Sequence, residues 1–450
     1  MDVFKDVRNF FLSSPGEKRV IGKSLFGRDL FAIRLGFGAP VGIAQYAIHG
    51  REWITSYLAF EHFRRGGVFG SVWFVPLANP DGALLSQKGL SSAPKASRAE
   101  LLALNGGGKD FSLWKANGRG VDLNVNFAAR WGGGKSNVFA PGGENYVGAK
   151  PFSEPETQAL KDLIDEIKPT FTYALHNSGF GGVYWYVTED VPELYPKLRE
   201  AVERQGIPLH LGEPESPAIP VLAPAVLLAE GIEVEYDYFE RFGAKNISKI
   251  ISSGTCSDSY SKQHYGTFTF LTEMPYFFDP RIADPSITDT TRGAAVIEKI
   301  NWTMESNKRI REVLSVSSKF MGEKNPYLMA VNDAIEDTGL GSNRRMAEED
   351  SEYKRLATQA EYFDNVWVSR FYRLLSYGML IRAHEYELER EHTAEAEVAL
   401  LAGKTMAEVM HKQLSDELEQ KLNYSVIPIR KLINIQLECG LKAAQIIHDR

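Results

Sequence analysis

Over the first 320 residues, β-rich runs at 42–48, 71–76, 171–175, 182–187 and 267–274 alternate with amphipathic helical patterns at 53–65 and 154–167. Alternation of this kind requires crossover connections, and the helices that make them must cover the faces of a sheet. The expected fold class is therefore α/β, with a central sheet between helical layers. Ser153, followed three residues later by Glu156, predicts a capping box at the start of the second helix. From about residue 325 the strand texture stops. The stretches 348–391, 405–421 and 426–448 carry helix-period apolar residues among many Glu, Lys, Arg and Ala, with Gly403 and Pro428 as breaks. The chain thus divides into a domain over 1–322 and a helical region over 323–450 that either packs on the domain or mediates homo-oligomerisation. The charge run at 385–397 reads as a solvated helix face.

Composition narrows the function classes. A formal net charge of −7 argues against a nucleic-acid partner or a polybasic membrane surface. Cys256 and Cys439 are the only cysteines, too few for a disulfide framework or a thiolate metal site, so any metal must lean on histidine and carboxylate. The first residues lack the basic-then-apolar pattern of a signal peptide, and no stretch approaches ~18 uninterrupted apolar residues. These features set the expectation of a cytoplasmic enzyme.

Three pieces carry chemistry. His49-Gly50-Arg51-Glu52 directly follows an apolar β-run, and the carboxyl ends of strands are where α/β sheets place ligands. His49 and Glu52 can converge on one ion if the backbone turns sharply between them, a turn that Gly50 permits. His176, in Ala174-Leu175-His176-Asn177, again follows an apolar strand. Two imidazoles and one carboxylate, with a fourth position left for water, form the ligand pattern of catalytic zinc. Glu273 lies in the apolar run Phe268-Thr269-Phe270-Leu271-Thr272-Glu273-Met274, where desolvation lifts a carboxyl toward the range of a general base.

In this order the motifs resemble the zinc carboxypeptidases, the carboxypeptidase A-like metallopeptidases, over roughly residues 15–310. The resemblance takes in His49-Gly50-Arg51-Glu52, Asn79-Pro80-Asp81-Gly82, Trp114-Lys115-Ala116-Asn117-Gly118-Arg119-Gly120-Val121-Asp122-Leu123-Asn124, Tyr146-Val147-Gly148, Pro151-Phe152-Ser153-Glu154-Pro155-Glu156-Thr157, His176 and Glu273. It implies a carboxypeptidase-like α/β/α sandwich with a mixed central sheet and one zinc ion held by His49, Glu52 and His176. It further implies that zinc acidifies water and polarises the scissile carbonyl, with Glu273 as general base. Arg51 and a cation near Lys115 or Arg119 would stabilise the oxyanion, and Asn124 would bind a substrate carboxylate.

Departures from the family pattern bear on specificity. Where carboxypeptidases read Asn-Arg-Asn-Phe, this chain has Asn124-Val125-Asn126-Phe127, and valine cannot grip a carboxylate as arginine does. Arg130 is a candidate replacement for that charge. The segment 250–255 has no tyrosine where relatives provide one; Tyr260 and Tyr265 are the nearby candidates. Leu271 competes with Glu273 for the base position, but the two share a strand face. The pattern is most similar to the bacterial branch that includes γ-D-glutamyl-diaminopimelate peptidases. The expected activity is hydrolysis of a peptide or amide bond in a small peptide, C-terminal or peptidoglycan-derived. An N-acyl amino acid deacylase and a peptide-binding pseudo-peptidase are the alternatives.

Overall fold

The computed structural model describes residues 2–66, 68, 70–87, 115–127, 146–229, 231–244, 247, 256–336 and 339–450. Among them, the apolar runs become the strands β1 (Lys18–Lys23), β2 (Asp29–Gly36), β3 (Val41–Tyr46), β4 (Ser71–Val75), β5 (Phe171–Phe180), β6 (Tyr184–Val187), β7 (Val221–Ala223), β8 (Val226–Leu228) and β9 (Phe268–Phe278). They form one mixed sheet in the order β1-β2-β4-β3-β5-β9-β6-β8-β7. The four central strands β4, β3, β5 and β9 run parallel to one another. Both faces of these strands are covered, so they read as nearly continuous apolar runs rather than as alternating ones.

Helices close each face. Thr55–Arg65 (α1) sits on one face with Leu58, Ala59 and Phe63 in the core, and Pro155–Ile167 (α2) covers the other with Leu160, Leu163 and Ile164. The start of α2 differs from the expected capping box. Glu154 is the cap residue and Pro155 opens the helix, so Ser153 lies one position outside it. The Glu156 carboxylate accepts instead from the Leu25 backbone N–H at 2.9 Å.

Ser257–Tyr265 (α3) leads into β9, and beyond β9 the chain adds Arg292–Ser317 (α4), Ser369–Leu388 (α5), Ala394–Lys421 (α6) and Ile429–Asp449 (α7), with shorter helices between. The strand texture does not stop at 325. Leu356–Thr358 pairs with Ile287–Thr291, and Ser425–Val426 adds to the main sheet beside β9. These pieces are too short to leave a periodic signal. Gly403 is not a break either. It lies mid-helix in α6 where a Cβ would meet His384 Nε2 at 2.3 Å and Ser317 Oγ at 2.8 Å, so its lack of a side chain allows three helices to meet. Leu380, Leu400, Leu432 and Ala444 belong to the same buried cluster as Phe74, Tyr173 and Phe270 of the sheet. Among the described residues no helix is long and apolar enough to cross a membrane.

His62 on α1 makes this core pH-sensitive. Its Nδ1 lies 2.7 Å from the Tyr46 hydroxyl, its Nε2 is buried without a hydrogen-bond partner, and burial lowers its pKa to about 4. The unfolded chain takes up a proton near pH 6.5. Stability from this group is therefore lost as pH falls from about 6.5 toward 4, with a slope approaching ~1.4 kcal/mol per pH unit. Denaturant unfolding of wild type and His62→Gln across that window is expected to show the extra slope only in the wild type; parallel curves would refute it.

Candidate active site

His49 follows the end of β3, whereas His176, expected just after its strand, lies inside β5 as Glu273 lies inside β9, one residue past the level where β3 ends at the Tyr46–Leu175 pair. After β3 the chain passes through Ala47, held at φ 52, before His49 caps a 3-10 turn over Gly50–Glu52. An alanine in the left-handed region costs of order 1 kcal/mol and persists only where its surroundings hold it. Here its carbonyl accepts from Asn79 N–H at 3.1 Å. Gly50 serves a different purpose from the one expected. It has no positive φ, but a Cβ on it would lie 2.4 Å from the Gly82 carbonyl carbon, so the two motif loops touch backbone to backbone. Asn79 ties them further, donating to the Ile48 and Ala116 carbonyls and accepting from Gly82 N–H.

The result is a convergence of three buried donors. His49 Nδ1 lies 2.8 Å from Glu52 Oε1, His176 Nδ1 lies 3.1 Å from Glu52 Oε2, and the two Nδ1 atoms are 3.2 Å apart. Two imidazole lone pairs and a carboxylate aimed at one point, with Glu52 Oε2 lacking a hydrogen bond, are the donor set a divalent cation would satisfy. Burial opposes charge on both Glu52 and His176. Attraction from His49 and His176 overcomes it at Glu52, holding that carboxyl well below the usual range, and Glu52 lifts His176 to about 9.

Behind His49, the Asp122 carboxylate approaches Nε2 at 3.5 Å and pairs with Lys115 Nζ at 2.8 Å. Burial raises the Asp122 pKa, but Lys115 and His49 pull it below its ordinary value. The motif quoted around it gave Asp122 no separate role. Its signal is the acid two residues before Asn124 in a turn that Asn117 and Asn126 lock by side-chain hydrogen bonds.

Glu273 stands directly across from His176 in the parallel β5–β9 register, with its Oε1 3.9 Å from His176 Nδ1. Leu271 pairs with Ala174 two residues earlier and does not line the cleft. Burial pushes the Glu273 carboxyl well above the usual range, while His176 and Arg51 act in the opposite direction. His49, Arg51, Glu52, Lys115 and Glu273 all line one cleft of about 870 Å³.

Other expected site residues lie elsewhere. Arg119 turns to Glu154, with Nε 3.1 Å from Oε2, and does not line the cleft. Tyr260 is buried against Phe127 and Phe152, and its hydroxyl donates to Asp165 at 2.7 Å; Tyr265 donates to the same oxygen. Both tyrosines are held on α2, away from the cleft, because Asp165 is the acceptor within their reach. Asn124 sits on the Asp122 turn but outside the cleft lining, and Val125 is buried in the core. Arg130 and the segment 250–255 lie outside the described residues.

The far end of the cleft is polar and internally paired. Glu213 takes Arg292 and Asn365, Glu361 takes Arg355, and Asp364 lies 3.4 Å from His210. Asp364 opens a π-helical turn, Asp364–Val368, of a kind often found at functional sites.

Residues 70–278 match the zinc carboxypeptidase family. That span is similar to a zinc carboxypeptidase domain. His176 and Glu273 fall inside the matched span, whereas His49 and Glu52 precede it and are joined to it by the geometry above. The uncharacterized protein YqgT of Bacillus subtilis is 34% identical over 210 residues, covering 42% of this chain and 55% of its own. Gamma-D-glutamyl-L-diamino acid endopeptidase 1 of Lysinibacillus sphaericus is 31% identical over 184 residues, or 37% of this chain and 46% of its own. Murein peptide amidase A of Escherichia coli O157:H7 is 42% identical over 84 residues, 17% of this chain and 34% of its own. The crystal structure of murein-tripeptide amidase from Escherichia coli O157 covers 60% of this chain and 87% of its own, at 20% identity and a TM-score of 0.35. The chain spans about half the length or less of the curated relatives it matches. The matched span holds β4 to β9 with His176 and Glu273, while β1 to β3, His49 and Glu52 precede it and the cleft wall from residue 292 onward follows it.

Proposed function

We propose that this protein is a zinc-dependent peptidase that hydrolyses a peptide or amide bond in a small peptide of the peptidoglycan type. The observation that carries the reading is the placement of Glu273 beside the converged donors of His49, Glu52 and His176 in a single cleft. His49, Glu52 and His176 would hold one zinc ion. When bound, zinc supplies Lewis acidity, which makes water acidic and polarises a carbonyl.

The chain's own residues supply the rest. Glu273 would accept the proton of the attacking water and return it to the leaving nitrogen. Arg51, lining the cleft 4.0 Å from Glu52, would place fixed positive charge at the developing oxyanion. Lys115 is engaged by Asp122, so its part is to steady the His49 side of the site while lending the cleft positive potential. Asp122, in turn, would orient the His49 ring from behind.

Substrate class is argued from two sides. Val125 is buried and offers no bidentate clamp for a free C-terminal carboxylate, which disfavours ordinary carboxypeptidase specificity. Two relatives bear names that specify a γ-D-glutamyl-diamino acid bond and a murein peptide amide bond. A panel of γ-D-glutamyl-diamino acid peptides, ordinary peptides with free or amidated C-termini, and N-acyl amino acids would test the reading. Zinc-dependent cleavage of the first group is expected to exceed that of the others at least tenfold. Preferential cleavage of N-acyl amino acids, or zinc binding with no hydrolysis of any member, would overturn it.

A further inference from the structure

The zinc carboxypeptidase match ends at residue 278, yet Val368, Phe371, Tyr372 and Leu375 line the same cleft from the π-helical turn and the start of α5. Tyr372 stands out among them. It lines the cleft while remaining 36% exposed. Its ring lies over Gly179, three residues past His176. A Cβ there would sit 3.4 Å from the Tyr372 hydroxyl, and Gly179 itself adopts φ 75.

The hydroxyl has capacity to spare. Its hydrogen bond is a 3.5 Å contact to the Phe180 carbonyl, at the long limit for such a bond. Neighbouring cleft tyrosines are better satisfied: Tyr276 donates to Asn177 at 2.8 Å and Tyr184 to Glu215 at 2.6 Å. Tyr372 shares the cleft lining with Arg51 and Glu273. A phenol is protonated at neutral pH, so the hydroxyl acts as a neutral donor.

We infer that Tyr372 is a substrate-binding residue supplied by the helical region, its hydroxyl donating to a main-chain carbonyl of a peptide seated between Arg51 and Glu273. The inference rests on the cleft being a peptide site, and its test separates the two. Steady-state kinetics on the best-cleaved peptide, calorimetric binding of an uncleaved γ-D-glutamyl peptide, zinc content and melting temperature would be compared for wild type and Tyr372→Phe. The variant is expected to raise KM and Kd roughly three- to tenfold, the loss of one net hydrogen bond, with kcat within about twofold. Zinc content and melting temperature should not move. KM and Kd within twofold of wild type would overturn the inference, as would a fall in melting temperature with no change in Kd. If no peptide is cleaved but wild type binds the probe more tightly than the variant, Tyr372 keeps its role and the peptidase reading falls. Binding by neither protein overturns both.

Discussion

Replacing Glu273 with Gln is expected to lower kcat about a thousandfold while leaving one zinc per chain. Glutamine matches glutamate in size and still accepts a hydrogen bond, so the β5–β9 register that sets Glu273 across from His176 should survive. What it cannot do is take a proton. With the carboxylate 3.9 Å from His176 Nδ1 and 12% exposed, no other carboxylate on the cleft floor is placed to substitute, since Glu52 is held between the two imidazoles. Metal analysis alongside steady-state rates would check this. Zinc at full occupancy with activity within tenfold of wild type would rule Glu273 out as the base.

The second large effect concerns the metal. His176→Ala should abolish stoichiometric zinc binding and all hydrolysis, because it leaves two donors where three converge within 3.2 Å. Asp122→Asn should do less, weakening zinc affinity by roughly 10- to 100-fold, as loss of a partner behind a ligating histidine typically does. The graded pair is informative. A complete loss in His176→Ala with a partial loss in Asp122→Asn fits an ion among His49, Glu52 and His176. Unchanged zinc affinity in His176→Ala would place the ion elsewhere. Chelation of the wild type should also lower its melting temperature, since an ion that binds only the folded chain stabilises it.

Much of the candidate site was legible because apolar runs leave a local trace, although the strands carrying His176 and Glu273 continue beyond those runs to Phe180 and Phe278. His49, His176 and Glu273 each sit at or near the end of an apolar run, and a run of that kind marks a buried central strand wherever it occurs. What failed were assignments made by proximity in sequence. Tyr260 is close to the chemistry along the chain but is taken by Asp165 on α2. Arg119 is taken by Glu154. No periodicity announces where a side chain finds its partner. Tyr372, Arg292 and Asp364 escaped notice for the converse reason. They enter the cleft from one to two hundred residues beyond His176, and only the folding of the helical region onto the sheet brings them there. Gly403 was misread because a glycine that admits a neighbouring helix looks, in one dimension, like one that ends its own.

The attachment of the helical region also bears on the order in which the site can form during synthesis. Ser425–Val426 hydrogen-bonds to β9, the strand that carries Glu273, and Gly440 on α7 presses against Tyr173 of β5, the strand that carries His176. A ribosome releases the chain from its N-terminus, so β5 and β9 emerge long before the segments that clamp them. Until residues 425–444 follow, β9 lacks that neighbour and the β5 face beneath α7 is open to water. Docking of the helical region thus completes the packing of the two strands that carry His176 and Glu273.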